Sequence, residues 1–279
     1  MTQRTQTPVT PRPFLKWAGG KSQLIEQYKP LFPKGFKNYY EPFLGGGAVF
    51  FYLHQQFTGF NAFLSDINPE LINVYCCVRD DVETLIDLLD KHQLKHGKIH
   101  YYQVRGKLFR RKKHRAARLI YLNKTCFNGL YRENSKGEFN VPMGRYKNPK
   151  ICNADLLRSV SEALTKAEIN LQPFDAVLEQ AKTADDFVYF DPPYYPLNPT
   201  SNFTAYSRYS FNEESQKKLR DTFAELSDRN VRVMLSNSDC EFIRNLYKDF
   251  HIHTVYATRS INSKGKKRGK ISEVVVTSY

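Results

Sequence analysis

Between Asp90 and Glu133 the chain has no acidic residue. Thirteen lysines and arginines fill that window: Lys91, Lys95, Lys98, Arg105, Lys107, Arg110, Arg111, Lys112, Lys113, Arg115, Arg118, Lys124 and Arg132. A second acid-free stretch, His251 to Ser272, holds Arg259, Lys264, Lys266, Lys267, Arg268 and Lys270. A solvated helix face mixes signs, because i,i+4 ion pairs favour it. One-signed runs interleaved with Tyr101, Tyr102, Phe109, Tyr121 and Phe127 suit a polyanion whose bases can be stacked or wedged. The net charge of +14 agrees. Other things are also scarce. The five cysteines, an odd number, include no pair at metal-ligand spacing. They read as reduced thiols of a cytoplasmic, bacterial protein, and no metal is expected. The longest apolar run near the N-terminus, Ala48 to Leu53, is far too short for a bilayer. Met1 to Pro13 is polar and reads as a frayed arm, not a leader. Nothing in the pattern suggests a membrane partner.

What is present begins with Asp191-Pro192-Pro193-Tyr194, after the apolar run Phe187-Val188-Tyr189-Phe190. A strand followed by two prolines is forced to stop, and neither proline supplies an N–H. A carboxylate, free carbonyls and a flat ring then stand together. That set can hold an exocyclic amino group, and a plain strand-ending turn has the same composition. Upstream, Tyr39-Tyr40-Glu41-Pro42-Phe43-Leu44-Gly45-Gly46-Gly47-Ala48 reads as strand, glycine turn and helix, the first unit of a nucleotide-binding α/β sheet. Phe60 to Leu64 reads as the next strand. Asp66, 21 residues beyond Gly45, suits an acid gripping ribose hydroxyls; it also suits a helix N-cap. Trp17-Ala18-Gly19-Gly20-Lys21-Ser22 opens the core, with Ser22 the expected cap of a helix from Gln23 to Tyr28. From Glu70 to about Leu164 the strand rhythm stops. Arg132 to Val141 reads as a hairpin turning near Asn134-Ser135-Lys136-Gly137. Strands resume at Glu168–Leu171, Phe187–Phe190, Val231–Ser236, His251–Ala257 and Val274–Tyr279, with an amphipathic helix from Gln216 to Asp228.

These phrases, in this order, resemble the DNA adenine-N6 methyltransferases. The arrangement is that of their alpha group, and the likeness is greatest to the Dam-type enzymes that methylate GATC, including those of restriction–modification systems. It extends through Asn128-Gly129-Leu130, Gly137 to Pro142, Gly144-Arg145-Tyr146 and Asn202 to Tyr206. The resemblance implies a Rossmann-like S-adenosylmethionine-dependent sheet from residues 1–70 and 165–279, with target recognition inserted at 71–164. It implies S-adenosylmethionine as cofactor, double-stranded DNA as partner and a possible cognate restriction endonuclease; the sequence leaves the oligomeric state open, with a monomer favoured. Trp17, Lys21, Phe43, Gly45, Gly47, Asp66, Phe174, Asp175 and Asp191 would border the cofactor. Asp191, Pro192 and Tyr194 would hold a flipped adenine, with the loop through Tyr206 closing on it. Arg132 would read guanine, and Leu130 and Pro142 would touch thymine methyls and base edges. Phe127 and Asn128 would wedge the duplex, and Lys124 and Arg145 would meet phosphates. Phe127 stands where some relatives have tyrosine, so no hydroxyl is offered there.

The chemistry stands apart from the likeness. An adenine amino lone pair is delocalised into the ring. Two acceptors on its hydrogens favour a pyramidal nitrogen and stabilise the charge that develops on it. No cysteine nucleophile or metal is needed. Amino methylation of RNA, of cytosine N4 or of protein glutamine uses related geometry, and a non-catalytic DNA-binding module would keep the fold alone. Asp at 191 argues against the cytosine and glutamine enzymes by family pattern. Intact Asp191, Tyr194, Gly45 and Asp66 argue against the inactive module.

Overall fold

The computed structural model describes residues 9–134, 136–197, 211–258 and 270–279. Among them a short 3-10 turn, Lys21–Gln23, leads into α1 (Ile25–Tyr28). Then come β1 (Asn38–Glu41), α2 (Ala48–Gln56), β2 (Asn61–Asp66) and α3 (Pro69–Asp80). Three helices follow: α4 (Val82–Leu94), α5 (Lys98–Gly106) and α6 (Lys112–Thr125). The order continues with α7 (Ala154–Leu164), β3 (Glu168–Leu171), β4 (Asp186–Phe190), α8 (Glu213–Asp228), β5 (Arg232–Ser238), α9 (Glu241–Leu246), β6 (His251–Thr258) and β7 (Lys270–Thr277).

The seven strands form one mixed sheet in the order β3-β2-β1-β4-β5-β7-β6. β1 pairs in parallel with β2 on one side and β4 on the other, and β3 and β5 extend those pairs in parallel. β7 enters antiparallel between β5 and β6. The expectation of a Rossmann-like α/β sheet is met. Chain order reverses between β1 and β4, and in open α/β sheets ligands bind outside the carboxyl ends of strands at such a point.

Strand side chains alternate between two faces, and both faces are covered. Tyr39, Phe187, Tyr189, Met234 and Val275 enter the core that includes α2 to α7. Tyr40, Val188, Phe190, Val233, Leu235, Val274 and Val276 pack under α8 and α9 with Leu219, Phe223, Leu226 and Ile243. α3 packs on β2 and β3 as well as on α4, α6 and α7, so the helices of the basic segment share a core with the sheet.

Local expectations meet two corrections. Ser22 caps nothing: Gly20 stands at the N-cap of the first turn, without a side-chain cap bond. α3 is capped by Asn68, whose Oδ1 accepts from Glu70 N at 3.0 Å and Leu71 N at 3.2 Å. Asp66 is thereby left to other work. The Arg132–Val141 hairpin closes through the single bridge Glu133↔Phe139, with Asn140 N donating to Arg132 O at 3.1 Å. Gly137 N bonds Asn134 O at 2.9 Å, which places the turn where Asn134 and Gly137 suggested. A second bridge, Cys126↔Met143, ties its base to the end of α6.

Candidate functional site

Three strand ends meet at the reversal of the sheet. After β1 the chain runs through Gly45 and Gly47, at φ +47° and +67°. Side chains are strained at such φ. A Cβ at Gly45 would also lie 2.9 Å from Trp17 Cδ1. The loop therefore passes close under the Trp17 ring and leads into α2. At the end of β2, Asp66 Oδ2 accepts from Gly45 N at 3.2 Å and Oδ1 from Asn68 N at 2.9 Å. Burial raises its pKa, against those two N–H bonds and one from Ile67. Three N–H donors on two oxygens still leave an acceptor site for a ligand hydroxyl.

Asp191 leaves β4 into this space. Its Oδ1 accepts from Ser236 Oγ at 2.8 Å and pairs with Lys21 Nζ at 2.7 Å. Lys21 is only 4% exposed, so it is no surface charge. Its ammonium also donates to Gly19 O and lies 4.6 Å from the centre of the Tyr194 ring. Tyr194 OH donates to Glu273 Oε2 at 2.7 Å. Burial, with Tyr28, Asp191 and Glu273 nearby, raises that phenol's pKa and keeps it protonated. Pro193 O accepts from Gln216 Nε2 at 3.0 Å, and Gln216 Oε1 accepts from Asn237 Nδ2 at 3.0 Å. No donor among the described residues bonds Pro192 O. The turn therefore offers one braced carbonyl, one free carbonyl and a carboxylate whose second oxygen has no described donor.

A third group of residues lines the outer side of the glycine loop. Phe43 and Phe174 stack at 5.4 Å with 21° between planes, and Phe211 meets both edge-on. Asp175 pairs with Lys218 through Oδ2, while its Oδ1 is buried without a partner. A buried acceptor without a donor is costly and marks a place for a ligand N–H.

A family model described as D12 class N6 adenine-specific DNA methyltransferase matches residues 17–261, most of the chain. The chain belongs to the D12 class of N6 adenine-specific DNA methyltransferases. It is 46% identical over 276 residues to "Type II methyltransferase M1.LlaDCHI" of Lactococcus lactis subsp. cremoris, covering 96% of this chain and 95% of that protein. It is 44% identical over 290 residues to "Type II methyltransferase M.MjaIII" of Methanocaldococcus jannaschii, covering 96% and 99%. It is 37% identical over 271 residues to "DNA adenine methylase" of Escherichia coli strain K12, covering 95% and 94%. This methyltransferase therefore acts on adenine in DNA, and its family implies S-adenosylmethionine as methyl donor. The residues fit that cofactor on their own terms. There is an acid at the end of β2, a glycine loop under an indole, and an unpartnered acceptor beside a phenylalanine pair. Among the described residues no helix is long and apolar enough to cross a membrane.

The residues expected to read DNA gather at the end of α6 and on the hairpin. Phe127 is 50% exposed and Leu130 37%. Asn128 between them takes φ 55°, the left-handed region, which turns the chain tip outward. Pro142 and Arg145 are exposed. Arg132 is exposed, and its Nε donates to Asn140 Oδ1 at 2.7 Å; its terminal nitrogens have no described partner. Lys124 is half-buried; burial first, and then the Lys16 charge, lowers its pKa to about 8. Tyr206, with Phe203 to Ala205, lies outside the described residues, as does the basic run Arg259 to Arg268.

Sequence reasoning missed four contributors. Glu41 is buried beneath the site and takes bonds from Tyr39 OH and Phe50 N; burial pushes it up to about 8. Tyr131 stacks on Trp17 at 5.3 Å, joining the cofactor side to the hairpin. Lys218 answers Asp175 from α8, and Ser236 answers Asp191 from β5. None carries a motif of its own. Only the Glu41 position, inside Glu41-Pro42-Phe43, stood in a recognised phrase.

Proposed function

We propose that this enzyme methylates N6 of an adenine flipped out of duplex DNA, within GATC. The observation that carries the reading is the turn after β4, where an Asp191 oxygen and the Pro192 carbonyl stand without described donors beside a tyrosine ring. The two acceptors take the two amino hydrogens. The nitrogen then keeps its lone pair local, and the positive charge it gains in reaction meets a carboxylate. Tyr194 offers the ring face away from Lys21 for stacking. S-adenosylmethionine, when bound, supplies a methyl group activated by a sulfonium. Asp66 would hold its ribose, Phe43, Phe174 and Asp175 its adenine, and Trp17, Gly45 and Gly47 its methionine portion. Holding both reactants in one geometry supplies much of the acceleration.

In a duplex the amino group is buried in a base pair, so the nucleotide must leave the stack. The exposed tips at Phe127 and Leu130 support a wedge that fills the gap. The guanidinium fork of Arg132 suits the paired acceptors of guanine. Residues 71–164 are assigned to target recognition on these grounds. GATC itself rests on the likeness of Leu130, Arg132 and Pro142 to the Dam-type pattern. The relatives named Type II methyltransferases support a place in a restriction–modification system, paired with a cognate endonuclease.

The test uses tritiated S-adenosylmethionine with three substrates: a duplex bearing GATC, a duplex lacking it, and RNA. Label confined to the first is expected. Equal label in the GATC-free duplex would overturn the recognition site, and label in RNA would overturn the substrate class.

A further inference from the structure

We propose that Ser236 is a positioning residue for methyl transfer. Its hydroxyl, together with the Lys21 ammonium, holds one oxygen of Asp191 so that the other is presented to the substrate amino group. The inference rests on the role given to Asp191 above.

β5 runs parallel to β4, and the last pair of their register is Phe190↔Leu235. The next residues along are Asp191 and Ser236, so the sheet itself sets the serine beside the carboxylate. Ser236 Oγ donates to Asp191 Oδ1 at 2.8 Å. Tyr189 OH lies 3.0 Å from the same Oγ. A serine has one proton. With that proton on Asp191, Tyr189 must donate to Ser236. The chain of bonds then runs one way, Tyr189 to Ser236 to Asp191, and each bond polarises the next. Tyr189 and Ser236 are fully buried, so water does not compete for these bonds.

Lys21 reaches the same oxygen from the other side of the site at 2.7 Å. Two donors thus converge on Oδ1, and no described donor bonds Oδ2. The torsion that turns a carboxylate is broad and nearly two-fold. Held only by Lys21, Asp191 could turn about that single contact. Two donors from separate elements, a strand and the Lys21 turn, fix its plane. Pre-set acceptor geometry is what an amino group with a delocalised lone pair requires. Ser236 touches no substrate; it acts through Asp191.

The test compares Ser236→Ala, Ser236→Cys, Tyr189→Phe and Asp191→Ala as full-length enzymes. Single-turnover methyl transfer to a GATC duplex is read beside separate Kd values for DNA and for S-adenosylmethionine. Ser236→Ala is expected to slow transfer by about ten- to a hundredfold, the cost of small misplacement at a reacting centre, with both Kd values within about twofold. Ser236→Cys keeps a weak donor of similar size and is expected to fall between Ser236→Ala and the parent. It serves as the deciding variant if Ser236→Ala does not fold. Tyr189→Phe leaves the Ser236–Asp191 bond in place and is expected to stay within about threefold of the parent. Parent-like transfer by Ser236→Ala or by Ser236→Cys would overturn the proposal. So would an equal loss in Tyr189→Phe, which would make the hydroxyl pair structural. Asp191→Ala separates the two levels. If it loses transfer while the serine variants do not, only the role of Ser236 fails. If it retains transfer, the reading of the site fails with it.

Discussion

Arg132 and Lys124, both proposed to meet DNA, stand under different physical constraints, and each gives a separate expectation. Arg132 is exposed, and Asn140 Oδ1 holds its Nε at 2.7 Å. Arg132→Ala is expected to relax discrimination at one guanine by about 1–3 kcal/mol. Competition binding with duplexes changed at that base checks it; an equal loss on all sequences would make Arg132 a phosphate contact. Lys124 is different because burial lowers its pKa to about 8. It is charged below that value and loses its proton as pH rises through it, so a phosphate contact fades in the same window. Parent DNA affinity is expected to weaken from pH 7 to pH 9 more steeply than that of Lys124→Arg, measured by fluorescence anisotropy at fixed salt. The roles of both residues came from family likeness, but the buried state of Lys124 did not. Lys21 and Ser236 show the same limit. Likeness placed Lys21 at the cofactor and gave it no link to Asp191, and a serine at the end of an apolar run reads only as strand. Only the fold brings them to one carboxylate.

At the scale of elements, local pattern was a good guide wherever it was also the deciding force. Strands at β3, β4 and β6 and the helix α8 fell close to their expected limits, because alternation and amphipathic spacing record which face is buried. β5 runs two residues beyond the expected Ser236, and β7 begins at Lys270, before the expected Val274. There the pairing of the two strands, Ser238↔Glu273 among others, sets the limit, and pairing partners are not written in either segment alone. Asp66 read either as a ribose acceptor or as the N-cap of α3. Asn68 took it, and Asp66 was freed to hold the glycine loop. Asn68→Ala is therefore expected to cost about 1 kcal/mol of stability by denaturant unfolding. Gly45→Ala is expected to do something else. At φ +47° and 2.9 Å from Trp17, its Cβ shifts the loop and the indole together. Affinity for S-adenosylmethionine should fall, as calorimetric titration of the variant would show, beside a stability loss of about 1–2 kcal/mol from the strained φ.

Across the whole molecule, the strand order could not be read in advance. The entry of β7 between β5 and β6 is a long-range choice. The reversal between β1 and β4 matters more for function, because it gathers the ends of β1, β2 and β4. Charge is the other property of the whole chain. A net +14 gathered into acid-free windows makes DNA affinity fall steeply with salt, since bound cations displace counterions from phosphates. Arg145→Ala should reduce the slope of log affinity against log salt by about 1 without altering base preference. In the proposed reading, methyl transfer hangs on the turn after β4. The decisive measurement is single-turnover transfer by Asp191→Ala, made on samples whose DNA and cofactor binding have been confirmed. Transfer should vanish while both ligands still bind; turnover near that of the parent would mean that the amino group is held somewhere else.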